Sequence, residues 1–271
     1  MPPLRRPSFA VRESARIVGW IVGLEAAITA IGGLLASHRA GSLAVQAFVA
    51  EWGAGRLGVA WSDPEAARPT TRVVARKVGV GLVLGLSAAA VTLAFAALTR
   101  AVTISPPSVA APELLLGLVA AALVSVREEL VLRGLVLRAF GTTLSPRLQI
   151  LACGAVAAAA KLGRMEGTPI GSLGAASFTA AALAAAALGG ICFATLWLRE
   201  RGAFTAWGAH TAWTLATTTA MSGGVTDGRW SETRWGGGTL GFDASLAVVT
   251  GLGLVTVVAL SAWYRGDART R

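Results

Sequence analysis

The chain has 271 residues, 54% of them apolar and only 14% charged, with a mean hydropathy of +0.64. That balance excludes an ordinary soluble domain and describes a polytopic membrane protein. The net charge of +10 does not imply nucleic-acid binding: the basic residues flank apolar runs, as juxtamembrane anchors do, and no polar segment carries a basic stripe with interleaved aromatics.

Arg5, Arg6, Arg12 and Arg16 precede a first apolar run, Ile17 to Ser37. It is about twenty residues long, contains Glu25 and ends without a small-x-small cleavage site, so it reads as a retained span rather than a leader. His38 follows as an interfacial residue. From Gly41 to Arg76 the apolar pattern weakens, and Ser42 to Trp61 reads as a segment lying on or dipping into the interface, with Trp52 and Trp61 in an aromatic belt. Val78 to Leu98 is a clear span whose Gly79, Gly81 and Gly85 permit close helix packing.

After Ser105-Pro106-Pro107, Pro112 suits the first turn of a helix that can run to Phe140. A short run, Leu148 to Ala160, ends at Lys161, and Gly163, Gly167 and Pro169 form the next connection. Leu173 to Leu198 is alanine-rich and carries Gly189-Gly190; the turn Arg199-Glu200-Arg201-Gly202 leads into Ala203 to Met221. A Gly-rich loop, Ser222 to Gly241, contains Trp230 and Trp235, and a last span runs from Leu246 to Trp263. The expected fold is therefore all-α, a membrane helix bundle of about seven to eight spans. Within one membrane domain, residues 1–111 supply N-terminal spans, 112–221 the core carrying the polar motifs, and 222–271 the loop and final span. Cys153 and Cys192 fall within apolar helices and read as small packing residues. With the C-terminus cytoplasmic, the positive residues place the charged half of the Pro112–Phe140 helix toward the cytoplasmic face.

That charged half is Arg127-Glu128-Glu129-Leu130-Val131-Leu132-Arg133-Gly134. An ion at the centre of a transmembrane helix costs roughly 2.5 to 3.5 kcal/mol on insertion scales, so this cluster needs pairing, a polar cavity, or both. On an α-helix Glu129 and Arg133 face each other at the i, i+4 spacing, whereas Glu128 points about 100° away. The expected division pairs Glu129 with Arg133 and leaves Glu128 available as a general base. Gly134 would admit a close neighbour. The plainer reading is a buried charge cluster that only fixes helix packing. A second polar centre is His210, one of two histidines, with Thr211 beside it and Thr214 on its face.

Glu128-Glu129-x-x-x-Arg133, Leu132-Arg133-Gly134, and a Gly189-Gly190 helix leading through Arg199 to His210 together resemble the CPBP family of intramembrane proteases. That family includes the CAAX prenyl endopeptidases and the bacterial bacteriocin-processing or immunity proteins of the Abi group. The resemblance covers Pro112 to Met221. It implies that Glu128 activates water for peptide hydrolysis, that Glu129 and Arg133 support it, and that His210 binds the water or the oxyanion. Two departures stand out. Where the family has Phe-x-x-x-His on the next helix, no histidine stands between Leu148 and Gly167, and spacing from the glutamates sets Ala157 and Lys161 at those positions, with Arg164 the second register; where the family favours an amide four residues after the last histidine, this chain has Thr214.

With one imidazole near the acids, a tetrahedral metal site lacks ligands, so no metal or other cofactor is expected. A Lys161 that reached Glu128 would replace a water-positioning imidazole with an ion pair. Two functions follow: a multi-pass protease of the cell membrane acting on a peptide or membrane-protein substrate near the cytoplasmic face, and a catalytically impaired relative that keeps the fold to bind a membrane partner. A proton-coupled transporter would also explain the charges, but the chain shows neither inverted repeats nor paired broken helices. Lipid is the expected surrounding partner, and the sequence leaves substrate and oligomeric state open.

Overall fold

The computed structural model describes residues 7–63, 68–105, 109–164, 173–219, 231, 235–237 and 242–267. Arg5, Arg6, Pro106, Pro107, Gly167, Pro169, Met221 and most of the Gly-rich loop, Trp230 included, lie outside the described residues. The protein is an all-α helical bundle. In chain order the helices are α1 (Pro7–Leu34), α2 (Arg39–Arg56), α3 (Thr71–Leu98), α4 (Ala111–Glu129), a π-helical turn (Leu130–Gly134), α5 (Leu135–Phe140), α6 (Pro146–Arg164), α7 (Leu173–Glu200), α8 (Phe204–Leu215) and α9 (Leu246–Asp267). Among the described residues no strand forms; Ser62 and Gly202 make an isolated antiparallel bridge.

Local chemistry sets several of these boundaries. The Thr70 hydroxyl accepts from the Val73 amide to start α3. Pro112 occupies the first turn of α4, where Glu113 accepts from the Ala110 amide. At the close of α7, Arg201 takes a left-handed φ of 49°, and the Gly202 amide then returns to the Trp197 carbonyl at 3.1 Å.

Among the described residues, four helices are long and apolar enough to cross a membrane: Val11–Leu34, Thr71–Leu98, Phe178–Glu200 and Leu246–Arg265. Their neighbours α2, α6 and α8 are shorter, and α4 carries the charged motif. Large apolar side chains such as Val22, Val83, Leu115 and Val257 face outward, while Glu129 and Arg133 are buried. Apolar outside and charged inside is the arrangement of a membrane protein, because hydrocarbon solvates the first group and not the second.

Since lipid is as apolar as leucine, packing here depends on close van der Waals approach rather than on water exclusion. Glycine provides it between α3 and α8: a Cβ on Gly81 would collide with the Thr205 carbonyl, one on Gly85 with the Ala209 carbonyl, and one on Gly208 with the Val78 carbonyl at 2.5 Å. This contact seats α8 against α3 and turns His210 toward α4 and α7. On the other flank α6 meets α7, where a Cβ on Gly190 would lie 2.7 Å from the Cys153 carbonyl. α1 closes the motif end, with Ser14 Oγ donating to the Ala139 carbonyl of α5 at 2.6 Å. α2 lies against α4, burying Ser42, Gln46 and Ala50 while exposing Phe48 and Trp52. Beyond Leu215 a π turn extends α8 through residue 219.

Candidate active site

The motif helix continues unbroken from Ala111 to Phe140 but not as one α-helix. At Leu130–Gly134 it widens into a π turn, closed by the Leu135 amide donating to the Leu130 carbonyl. All five residues of the turn are buried. Such π turns recur at functional sites because the extra residue redirects the side chains on either side. Here the wider turn alters the pairing expected at i, i+4. Arg133 Nη1 lies 3.5 Å from Glu129 Oε1 and 3.8 Å from Glu128 Oε2, and it donates to the Glu128 carbonyl at 3.2 Å. One guanidinium thus faces both acids. The exclusive Glu129–Arg133 pair expected from α-helical spacing is corrected by the added residue, which brings the i−5 position under the same side chain.

The two glutamates have different surroundings. Glu129 is fully buried: its Oε2 accepts from Trp197 Nε1 at 2.7 Å, and its Oε1 meets His210 Nδ1 at 2.8 Å. Glu128 is 15% exposed at its side chain; its Oε1 pairs with Arg127 Nη2 at 3.0 Å, and its Oε2 lies 3.5 Å from His210 Nε2. The imidazole therefore bridges the two carboxylates. Glu129 being an acceptor, a proton on Nδ1 satisfies that contact and leaves Nε2 facing Glu128. The ring stacks on Phe193, centroids 4.6 Å apart at 17° between planes, and the Arg133 guanidinium lies over the same phenyl ring at 5.3 Å. Gly134 makes room for the assembly: a Cβ there would lie 2.7 Å from Val59 and 3.2 Å from the Trp197 ring.

Glu128, His210 and Lys161 line one cavity of about 240 Å³, with Thr214 and Ala157 on its walls and Gly189 beside Phe193. Ala157 and Lys161 thus line the same cavity as Glu128. Among the described residues no group of three or more His, Cys, Asp or Glu side chains is placed to hold a metal ion. The donor set explains this, since both Glu129 oxygens are engaged by Trp197 and His210.

Three participants are not legible from the motif spacing. Arg127 belongs to the charged stretch, but its partner Gln46 lies on another helix. Trp197 is the donor to Glu129, and an indole N–H buried near an acid on an apolar helix is the available signal. Gln46 accepts from Arg127 Nη1 at 2.8 Å; a serine four residues before it in an otherwise apolar run marks an inward polar stripe.

This fold and site define a helical membrane protein with an acid–imidazole centre. Residues 110–216 match the family described as Type II CAAX prenyl endopeptidase Rce1-like, so the CPBP resemblance read from the motifs is borne out over that stretch. No curated protein matches the chain.

Proposed function

We propose that this protein is a multi-pass endopeptidase of the cell membrane, hydrolysing a peptide bond of a membrane-associated substrate near the cytoplasmic face. The observation that carries the reading is the 3.5 Å separation of Glu128 Oε2 and His210 Nε2 at the edge of one cavity. A water within reach of both acceptors donates to them and turns its lone pairs toward the cavity. As it attacks the substrate carbonyl, its proton passes to Glu128, which later returns it to the leaving amine. Glu129 holds the imidazole by Nδ1, and Arg133 adds positive charge beside the developing negative charge.

A second reading rests on Lys161. Its ammonium shares the cavity with Glu128, in place of an imidazole, and in a catalytically impaired relative it would occupy the base while the cavity binds a membrane peptide. Cleavage of a broad panel of membrane peptides by the purified protein separates the two. Hydrolysis lost in Glu128→Ala supports the protease; no hydrolysis by the wild type supports the binding protein.

A further inference from the structure

Glu128 is linked by hydrogen bonds to a residue far away in the chain. Arg127 Nη2 donates to Glu128 Oε1 at 3.0 Å, while Nη1 of the same guanidinium donates to Gln46 Oε1 at 2.8 Å. Gln46 Nε2 in turn donates to Ser42 Oγ, one helical turn earlier on α2, at 2.9 Å. Gln46 and Ser42 are both buried. The amide orientation follows from chemistry: a guanidinium carries only donors, so Gln46 must present Oε1 to it and turn Nε2 to the serine. Gly32 of α1 closes the third side, where a Cβ would lie 3.3 Å from Nε2.

We propose that Gln46 is a positioning residue for Glu128, acting through Arg127. This rests on the reading of Glu128 as the base, and Gln46 lies outside the region matched by the family. A guanidinium is a rigid fork that readily grips both oxygens of a carboxylate. With Nη1 held by Gln46, Arg127 meets Glu128 through Nη2 at Oε1. Oε2 stays directed at His210 Nε2, with Arg133 Nη1 at 3.8 Å, so the two carboxylate oxygens face different groups, Oε1 the Arg127–Gln46 relay and Oε2 the imidazole. Without the Gln46 acceptor, the freed nitrogen turns to the carboxylate its neighbour already touches, and Oε2 is withdrawn.

The test uses the full chain in proteoliposomes, with a fluorogenic membrane peptide and, separately, labelling of Glu128 by a hydrophobic carbodiimide read by mass spectrometry. Gln46→Leu removes the acceptor at similar volume; it is expected to lower kcat by about tenfold or more with KM within about twofold, and to cut Glu128 labelling several-fold. Gln46→Glu, which restores an acceptor for Arg127, is expected to recover most of both. Wild-type kcat and labelling in Gln46→Leu overturn the proposal. If Gln46→Leu does not fold, Ser42→Ala is read instead; a smaller shift in the same direction supports the proposal and unchanged values overturn it. If the wild type cleaves nothing, the proteolytic reading falls and labelling alone decides the positioning role.

Discussion

His210 holds Glu129 Oε1 at 2.8 Å through Nδ1, and this bond fixes which ring nitrogen faces the cavity. A buried carboxylate in such a position acts as an anchor, and its removal leaves Arg133 without its nearest buried counter-charge. Glu129→Ala is therefore expected to destabilise the folded protein by about 3–5 kcal/mol, as breaking a buried pair does. Glu128→Ala, at the cavity edge, should cost clearly less. Unfolding in mixed micelles of the two variants side by side checks the difference.

Trp197 gives a finer probe of the same anchor. Trp197→Phe keeps an aromatic ring beside Gly134 but deletes the N–H that donates to Glu129 Oε2 at 2.7 Å. A lost hydrogen bond to a charged group costs about 1.5–3 kcal/mol. The same unfolding measurement should register that loss, and a variant as stable as wild type would mean that the indole contributes packing alone.

The α3–α8 contact makes a prediction about position. In Gly85→Val the new side chain meets the Ala209 carbonyl, which is backbone and cannot rotate away, so destabilisation by at least about 1–3 kcal/mol is expected. Gly19→Val on α1 is the control, because a Cβ there has nothing within 4 Å. Thermal stability in detergent should fall in the first variant and hold in the second.

Hydropathy was enough to place the long helices, because length and apolar content decide α1, α3, α7 and α9 with little help from their neighbours. The motif helix was legible in extent, Pro112 to Phe140, but its π turn was not. A wider turn is selected by what packs around it, here Val59 and Trp197 against Gly134, and α-helical spacing alone assigns Arg133 to one acid instead of two. The apolar content of Ser42 to Trp61, with Trp52 and Trp61 as belt residues, marks α2 as interfacial. Its buried stripe of Ser42 and Gln46 gains meaning only once α4 is placed beside it.

Lys161 is where sequence pattern and chemistry pull apart. The cavity puts it with Glu128 and His210, so Lys161→His should change peptide turnover by about tenfold or more while shifting stability by less than about 1 kcal/mol. Steady-state kinetics and unfolding on the same preparation test this. A large loss of stability with unchanged turnover would assign Lys161 to the scaffold.

The most direct test of the central claim is peptide cleavage by the purified protein in liposomes, wild type against Glu128→Gln. Glutamine keeps the shape of the side chain but cannot accept the proton of the attacking water. The account predicts cleavage by the wild type and a loss of about 10²-fold or more in Glu128→Gln, with the variant still folded. Cleavage by Glu128→Gln at the wild-type rate would contradict it.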